Sequence, residues 1–357
     1  MKPTSIDISL YPHIRRTNDK LGMLSLMEAY LEAMAIKNYT PSTLNNRKFH
    51  LLSFMEWAGQ RGLHRPTEIT KLILERYQRY LFYYRQKNGS PLSFRSQSNR
   101  LIVVRVWFRW LTRQNYLPSN PASELELPKV EKRLPQVLSA REAELILSMP
   151  NIDEPLGLRD RTILEVLYST GIRRLETINL SLYDIDWDRQ SLRIQQGKGQ
   201  KDRIIPIGQR VLNWVSRYVE GVRNDLVCEH SEQALFLNRF GNPLSSRQLS
   251  YLVGRYIHAS PVKKKGSCHL FRHTMATLML ENGADVRYVQ AMLGHEDLSS
   301  TEIYTHVSIK KLQEVHRLIH PAKSRQEAQP SDESEPPTAE DLYHALYLES
   351  DEEIDDS

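Results

Sequence analysis

Residues 269–307 read HLFRHTMATLMLENGADVRYVQAMLGHEDLSSTEIYTHV, a helical pattern broken at Gly283 and Gly294. Helix positions three apart share a face, so His269 and Arg272 are expected to point the same way. His269 and His273, four apart, have the spacing of half a zinc site. Leu270, however, stands where an HExxH metalloprotease carries its glutamate, and no metal is expected. Leu293-Gly-His295 follows a short predicted helix, and Tyr304, in Glu302-Ile-Tyr304-Thr-His306, lies nine residues further on. Taken singly, each residue has a bland explanation; Tyr304 would be one more packing tyrosine among 17. Together they bring an arginine, several histidines and a tyrosine hydroxyl into one short span.

Two stretches upstream add further charge. Ser169-Thr-Gly-Ile-Arg173 is a glycine turn between two predicted helices, and it puts Arg173 at a helix N-terminus, a place that favours an anion. Gly197-Lys-Gly-Gln-Lys-Asp-Arg203 lies between the β-rich runs 186–194 and 204–207 and reads as a hairpin with Lys198 at its tip. A lone TGIR is common helix punctuation, and a GKG turn is often only a hairpin. Transfer of a phosphodiester without a metal requires such groups jointly. A nucleophile must lie in line with the leaving oxygen, fixed donors must neutralise the non-bridging oxygens, and a proton must reach the departing 5′ oxygen. Arginine suits the second task, because its planar fork binds two oxygens at once and never loses its charge.

The segments TGIRRLE (170–176), GKGQKDRIIPIG (197–208) and 269–307 resemble, in type and order, the tyrosine recombinases of the phage-integrase family, in the style of the bacterial Xer recombinases. The resemblance covers most of residues 139–320, and the helical region before it has the length and place of the family's core-binding domain. It implies that Arg173 and Arg272 clamp the scissile phosphate and that Lys198 is general acid to the leaving 5′ hydroxyl. His269 would assist proton transfer from the nucleophile, His295 would bond a phosphate oxygen, and Tyr304 would form the 3′-phosphotyrosine. Glu176 matches the family's accessory acid. No metal, ATP or other cofactor is implied, since the phosphotyrosine link conserves the phosphodiester energy. The sequence departs from the family pattern in carrying Arg174-Leu175 before Glu176, where Val or Ile and then Ser are commoner.

The implied fold is mainly α with a small β-hairpin or sheet. An N-terminal all-α, SAM-like core-binding domain would join a C-terminal catalytic domain in a C-shaped clamp. The implied function is a site-specific DNA recombinase or integrase serving a mobile element or replicon resolution. Its partners would be double-stranded DNA with a specific recombination site and a homotetramer of this chain in the synaptic complex; a second recombinase as heteromeric partner is compatible with this. A type IB topoisomerase-like relaxing enzyme and a catalytically silent DNA-binding regulator are the alternatives. The predicted helix 309–319 favours partner exchange, because the family docks its last helix on a neighbouring protomer.

Upstream of the linker the pattern is helical. Leu24, Met27, Leu31 and Met34 recur at helical spacing, Thr40-Pro41-Ser42 opens a helix to about Gly59, and a third covers about 71–87. A fourth, about 93–115, carries Leu101, Val104, Phe108 and Leu111 on one face. Arg95, Arg100, Arg105 and Arg109, with Arg113, lie on its other faces and are candidate contacts to a DNA backbone. LPSNPASELELPKVEKRLPQ (117–136) holds four prolines without sustained periodicity and reads as a linker. A capping box at Ser139-Ala-Arg-Glu142 opens the next helix, with others expected at about 158–169 and 174–180. The expected organisation is an N-terminal extension (1–20), a core-binding domain (21–118), a linker (119–136), a catalytic domain (137–321) and an acidic disordered tail (322–357).

The formal charge of +5 hides a segregation. Beyond Arg325 there is no Lys or Arg but there are twelve acids, so residues 1–325 hold all 48 bases against the other 31 acids, a net of +17. Such a body suits a polyanion, whose counterions it displaces. Two cysteines make no disulfide framework, the first residues lack the apolar run of a signal peptide, and no stretch is long and apolar enough to cross a bilayer. A cytoplasmic protein without membrane partners is expected. Deleting residues 326–357 should raise affinity for non-specific DNA, because twelve competing negative charges are lost; identical binding across a salt series would contradict this.

Overall fold

Helix α1 (Met23–Ile36) turns Met27, Tyr30 and Met34 inward, as the spacing of its apolar residues requires. Helix α2 (Pro41–Gly59) begins where Thr40 Oγ1 accepts from the Thr43 amide at 3.3 Å, with Pro41 in the first turn, where no amide partner is needed. Helix α3 spans Lys71–Tyr83, and α4 (Phe94–Arg113) is capped by Ser93, whose Oγ accepts from Ser96 N at 3.1 Å. The computed structural model describes residues 8–14, 19–130, 136–195, 202–228 and 231–294. The chain divides into two compact units between Lys132 and Arg133.

The four helices of the first unit enclose an aromatic core. Phe54 meets Tyr77 edge-on at 5.0 Å and Phe108 at 6.1 Å, beside Trp57 and a fully buried Trp107. Each such side chain contributes on the order of 2 kcal/mol through apolar burial. Helix α3 ends earlier than its pattern predicts. Arg85 bridges Pro91, Gln86 N donates to the Ser90 carbonyl at 2.9 Å, and Gly89 adopts φ +80°, so a tight turn takes up residues 84–91. Part of the expected linker is also core: Leu117, Ala122 and Leu125 are buried, and the Arg105 guanidinium donates to the Leu125 carbonyl. Arg105 thus ties α4 to that segment. Arg100 lies 5.8 Å over the Tyr84 ring, Arg95 is half-buried, and Arg109 and Arg113 are exposed.

The second unit is built around one buried helix. After α5 (Ala140–Leu147), opened by the reciprocal Ser139–Glu142 capping box, α6 (Pro155–Thr170) runs through the core with nearly every residue from Gly157 buried. It starts three residues before the predicted bound because Pro155 occupies its first turn. Glu165, fully buried on it, accepts from Arg161 and from Arg210, which also grips Glu144, so the carboxylate is compensated. Helix α7 (Arg174–Ile178) leads to an antiparallel sheet of β1 (Ile185–Asp186), β2 (Ser191–Ile194) and β3 (Arg203–Pro206), in the order β1-β2-β3. The predicted hairpin therefore gains a third strand: Leu192 pairs with Ile205 on one side and Ile185 on the other.

Helices α8 (Gln209–Tyr218), α9 (Asn224–Leu226), α10 (Ser246–Ala259), α11 (Cys268–Glu281) and α12 (Val286–Leu293) complete the described unit. A π-turn over Val219–Arg223 joins α8 to α9. Helices α8 and α11 both pack on α6, which brings α11 beside the C-terminal end of α6. There the chain reverses at Gly171, in the left-handed region at φ +59°. A methyl group on Gly171 would sit 2.2 Å from Met275 Cε and 3.2 Å from Leu293 Cδ2. Gly171→Ala should therefore destabilise the protein by about 1–2 kcal/mol from the backbone alone. Urea melts measure it, and an unchanged midpoint would contradict the strain.

Candidate active site

Three arginines from separate elements meet at the C-terminal end of α12. A helix leaves its last carbonyls without internal partners, and its dipole makes that end attractive to cations. Here the carbonyls of Met292, Leu293 and Gly294 accept, in order, from Arg203 Nε at 3.0 Å, Arg272 Nη2 at 2.9 Å and Arg173 Nη2 at 3.1 Å. Gly294 takes the left-handed conformation, φ +66°, that ends the helix. A Cβ there would lie 3.0 Å from Arg203 Cζ, so the guanidinium rests on bare backbone.

Arg272, on the second turn of α11, is 1% exposed. Its Nη1 donates to the Gly171 carbonyl at 2.6 Å, so one planar group ties the end of α6 to the end of α12. Arg173 enters from the start of α7. Its amide donates to Glu176 Oε2 at 2.9 Å, and its Nη1 donates to Oε1 at 3.0 Å. The next residue, Arg174, turns away, donating from Nη1 to Ser250 Oγ on α10 at 3.0 Å. As the glycine turn predicts, Arg173 sits at a helix N-terminus, as the N-cap of α7, and the Glu176 carboxylate of that first turn holds its amide and its guanidinium.

Glu176 is the hub. Beside Arg173, it accepts the Arg203 fork at 2.8 Å (Oε1) and 2.6 Å (Oε2). Burial by itself would push this carboxyl up. The Arg203 hydrogen bonds, with the charges of Arg203, Arg173 and Arg272, outweigh it and bring the carboxyl down to about 2.

The structure thus brings together three of the residues singled out in the sequence, Arg173, Glu176 and Arg272, while His269 lies half-buried one turn before Arg272 on α11. The His269 and His273 rings lie 6.1 Å apart, and among the described residues no three His, Cys, Asp or Glu are grouped to hold a metal. Lys198, His295 and Tyr304 lie outside the described residues, as do the predicted helix 309–319 and the acidic tail. Arg203 had no assigned role in the sequence, where it looks like one more base in a lysine-rich turn. Only its partnership with Glu176, 27 residues away, marks it out.

Residues 136–311 match the model of the phage integrase family. The tyrosine recombinase XerC 2 of Ralstonia nicotianae is 46% identical over 317 residues, covering 88% of this chain and 91% of that protein. The tyrosine recombinase XerD of Staphylococcus epidermidis is 34% identical over 300 residues, 84% of this chain and 99% of the relative. Among solved structures, the XerH site-specific recombinase bound to its difH substrate in a pre-cleavage complex superposes with a TM-score of 0.58 at 23% identity. That match covers 81% of this chain and 82% of the other, and it shows the shared fold. The chain belongs to the phage integrase family: it is a tyrosine recombinase of the XerC/XerD type, a DNA-cleaving and rejoining enzyme of site-specific recombination. No helix among the described residues is long and apolar enough to cross a membrane.

Because the Glu176 carboxyl is held below its ordinary 4.5, the stability it confers is complete above that pH and is lost as the pH falls toward 2. The stability difference between the native chain and Glu176→Gln should therefore shrink by about 3 kcal/mol over this window. Denaturant melts across pH measure it; a difference independent of pH would contradict an ionised, arginine-held carboxylate.

Proposed function

We propose that the chain exchanges DNA strands through a 3′-phosphotyrosine intermediate on Tyr304, at a specific recombination site of a mobile element or replicon. The supporting observation is the convergence of Arg173 and Arg272 on the end of α12, directly before His295 in the chain. Both guanidiniums are anchored by backbone carbonyls, and Arg173 also by Glu176, so their planes are set before any DNA arrives. Preorganised donors of this kind are the largest source of transition-state stabilisation in such transfers.

In this reading the Tyr304 oxygen attacks the scissile phosphorus, and the phosphorus–5′ oxygen bond breaks. Arg173 and Arg272 neutralise the non-bridging oxygens, with His295 bonding one of them. His269 assists removal of the tyrosine proton, and Lys198 delivers a proton to the leaving 5′ oxygen. One ester replaces another, so the 5′ hydroxyl of a second strand can reverse the step without ATP. The core-binding region (21–118) and the catalytic region (137–321), joined through 119–136, would close on double-stranded DNA as a C-shaped clamp. Arg95, Arg100 and Arg109 of α4 are candidates for backbone contacts, whereas Arg105 is committed to the Leu125 carbonyl. The working assembly is a tetramer of this chain on two sites, in the cytoplasm; a second recombinase could supply half of its protomers.

A suicide substrate, nicked near the crossover so that the released fragment diffuses away, tests the nucleophile. The native chain should be trapped covalently on it. Tyr304→Phe should bind the same DNA with unchanged affinity and form no covalent complex; a complex trapped on that variant would assign the nucleophile elsewhere.

A further inference from the structure

Arg203 opens β3, paired across from Ile194 at the loop end of the β2–β3 hairpin, and has no part in the chemistry set out above. Its guanidinium meets two elements at once. Nη1 and Nη2 fork onto Glu176 at 2.8 and 2.6 Å, and Nε donates to the Met292 carbonyl at 3.0 Å. The side chain is 14% exposed and that of Glu176 5%.

The carboxylate is shared unequally. Arg203 takes both oxygens in a fork, the strongest geometry for this pair. Arg173 places Nη1 on Oε1 and turns Nη2 to the Gly294 carbonyl at 3.1 Å. Without Arg203, a buried carboxylate would have to be neutralised by what remains, because an uncompensated buried charge is costly. The nearest guanidinium is Arg173, which would fold both amino groups onto Glu176 and leave the end of α12. We infer that Arg203 is a positioning residue for strand cleavage: by occupying Glu176, it keeps Arg173 directed at the end of α12, where the scissile phosphate is held. This rests on the reading of Arg173 and Arg272 as the phosphate clamp.

The full chain is assayed in single turnover on the nicked suicide substrate, with enzyme saturating the DNA. The variants are Arg203→Gln, the double variant Glu176→Gln/Arg203→Gln, and Arg173→Ala. Rate constants are compared rather than amplitudes, so a misfolded fraction does not register. Arg203→Gln should bind the site like the native chain and cleave it roughly 100-fold more slowly, the scale of a displaced catalytic group. The double variant removes the carboxylate together with its partner, so Arg173 is no longer captured. It should cleave roughly tenfold faster than Arg203→Gln yet below the native rate, because Arg173 has also lost its Glu176 anchor. A role limited to holding the fold predicts no such recovery.

Native-rate cleavage by Arg203→Gln, or a double variant as slow as the single one, overturns the proposal. Should Arg203→Gln fail to fold, the double variant decides alone, since it buries no uncompensated charge: a loss of roughly 100-fold overturns the proposal. Undiminished cleavage by Arg173→Ala overturns the clamp reading beneath it. That result is distinct from an inactive Arg173→Ala beside an unrescued double variant, which removes the role of Arg203 alone.

Discussion

The described part of the candidate site is organised around one buried carboxylate. Glu176 accepts from the Arg173 amide, from Arg173 Nη1 and from both terminal nitrogens of Arg203, which binds the start of α7 to the β-sheet. A buried ion pair of this kind is a poor source of stability, because desolvation offsets most of the Coulomb gain. What it supplies is fixed direction. Two guanidiniums that would sample many rotamers in water are each held by a carboxylate on one side and a helix-end carbonyl on the other.

The end of α12 is the second fixed point. Three successive carbonyls receive three arginines drawn from β3, α11 and the start of α7, elements far apart in the chain. The contacts serve both partners: the helix end gains donors for carbonyls it cannot satisfy itself, and the arginines gain rigid acceptors. In the chain, Gly294 is followed directly by His295. The placement of α11 on α6, and of Gly171 in a conformation that puts its carbonyl under Arg272, makes the arrangement possible.

Much of this was legible before the structure. Thr40-Pro41 and the Ser139–Glu142 capping box mark helix starts by local chemistry, and the observed helices begin there, whereas Pro155 opens α6 ahead of the expected 158. The other misses have the same kind of cause in each case. Residues 84–87 continue a helical pattern but are claimed by a turn, residues 117–125 look like linker but bury three apolar side chains, and Ile185 joins the sheet through pairing with Leu192. Each of these is decided by a partner elsewhere in the chain, which no local window contains.

The same division holds for the site. Arg173 and Arg174 are adjacent and chemically identical, and Arg105 looks like Arg109, yet in each pair the two residues have different surroundings. By itself the sequence determined which chemical groups the enzyme has and in what order: the arginines, the histidines, the hairpin lysine and the tyrosine, at spacings that identify their class. The tertiary structure decided which of its many arginines acts with which acceptor, and it alone brought in Arg203. Hydrogen bonds and ion pairs reach only about 3 Å, so their partners are set by packing rather than by separation along the chain.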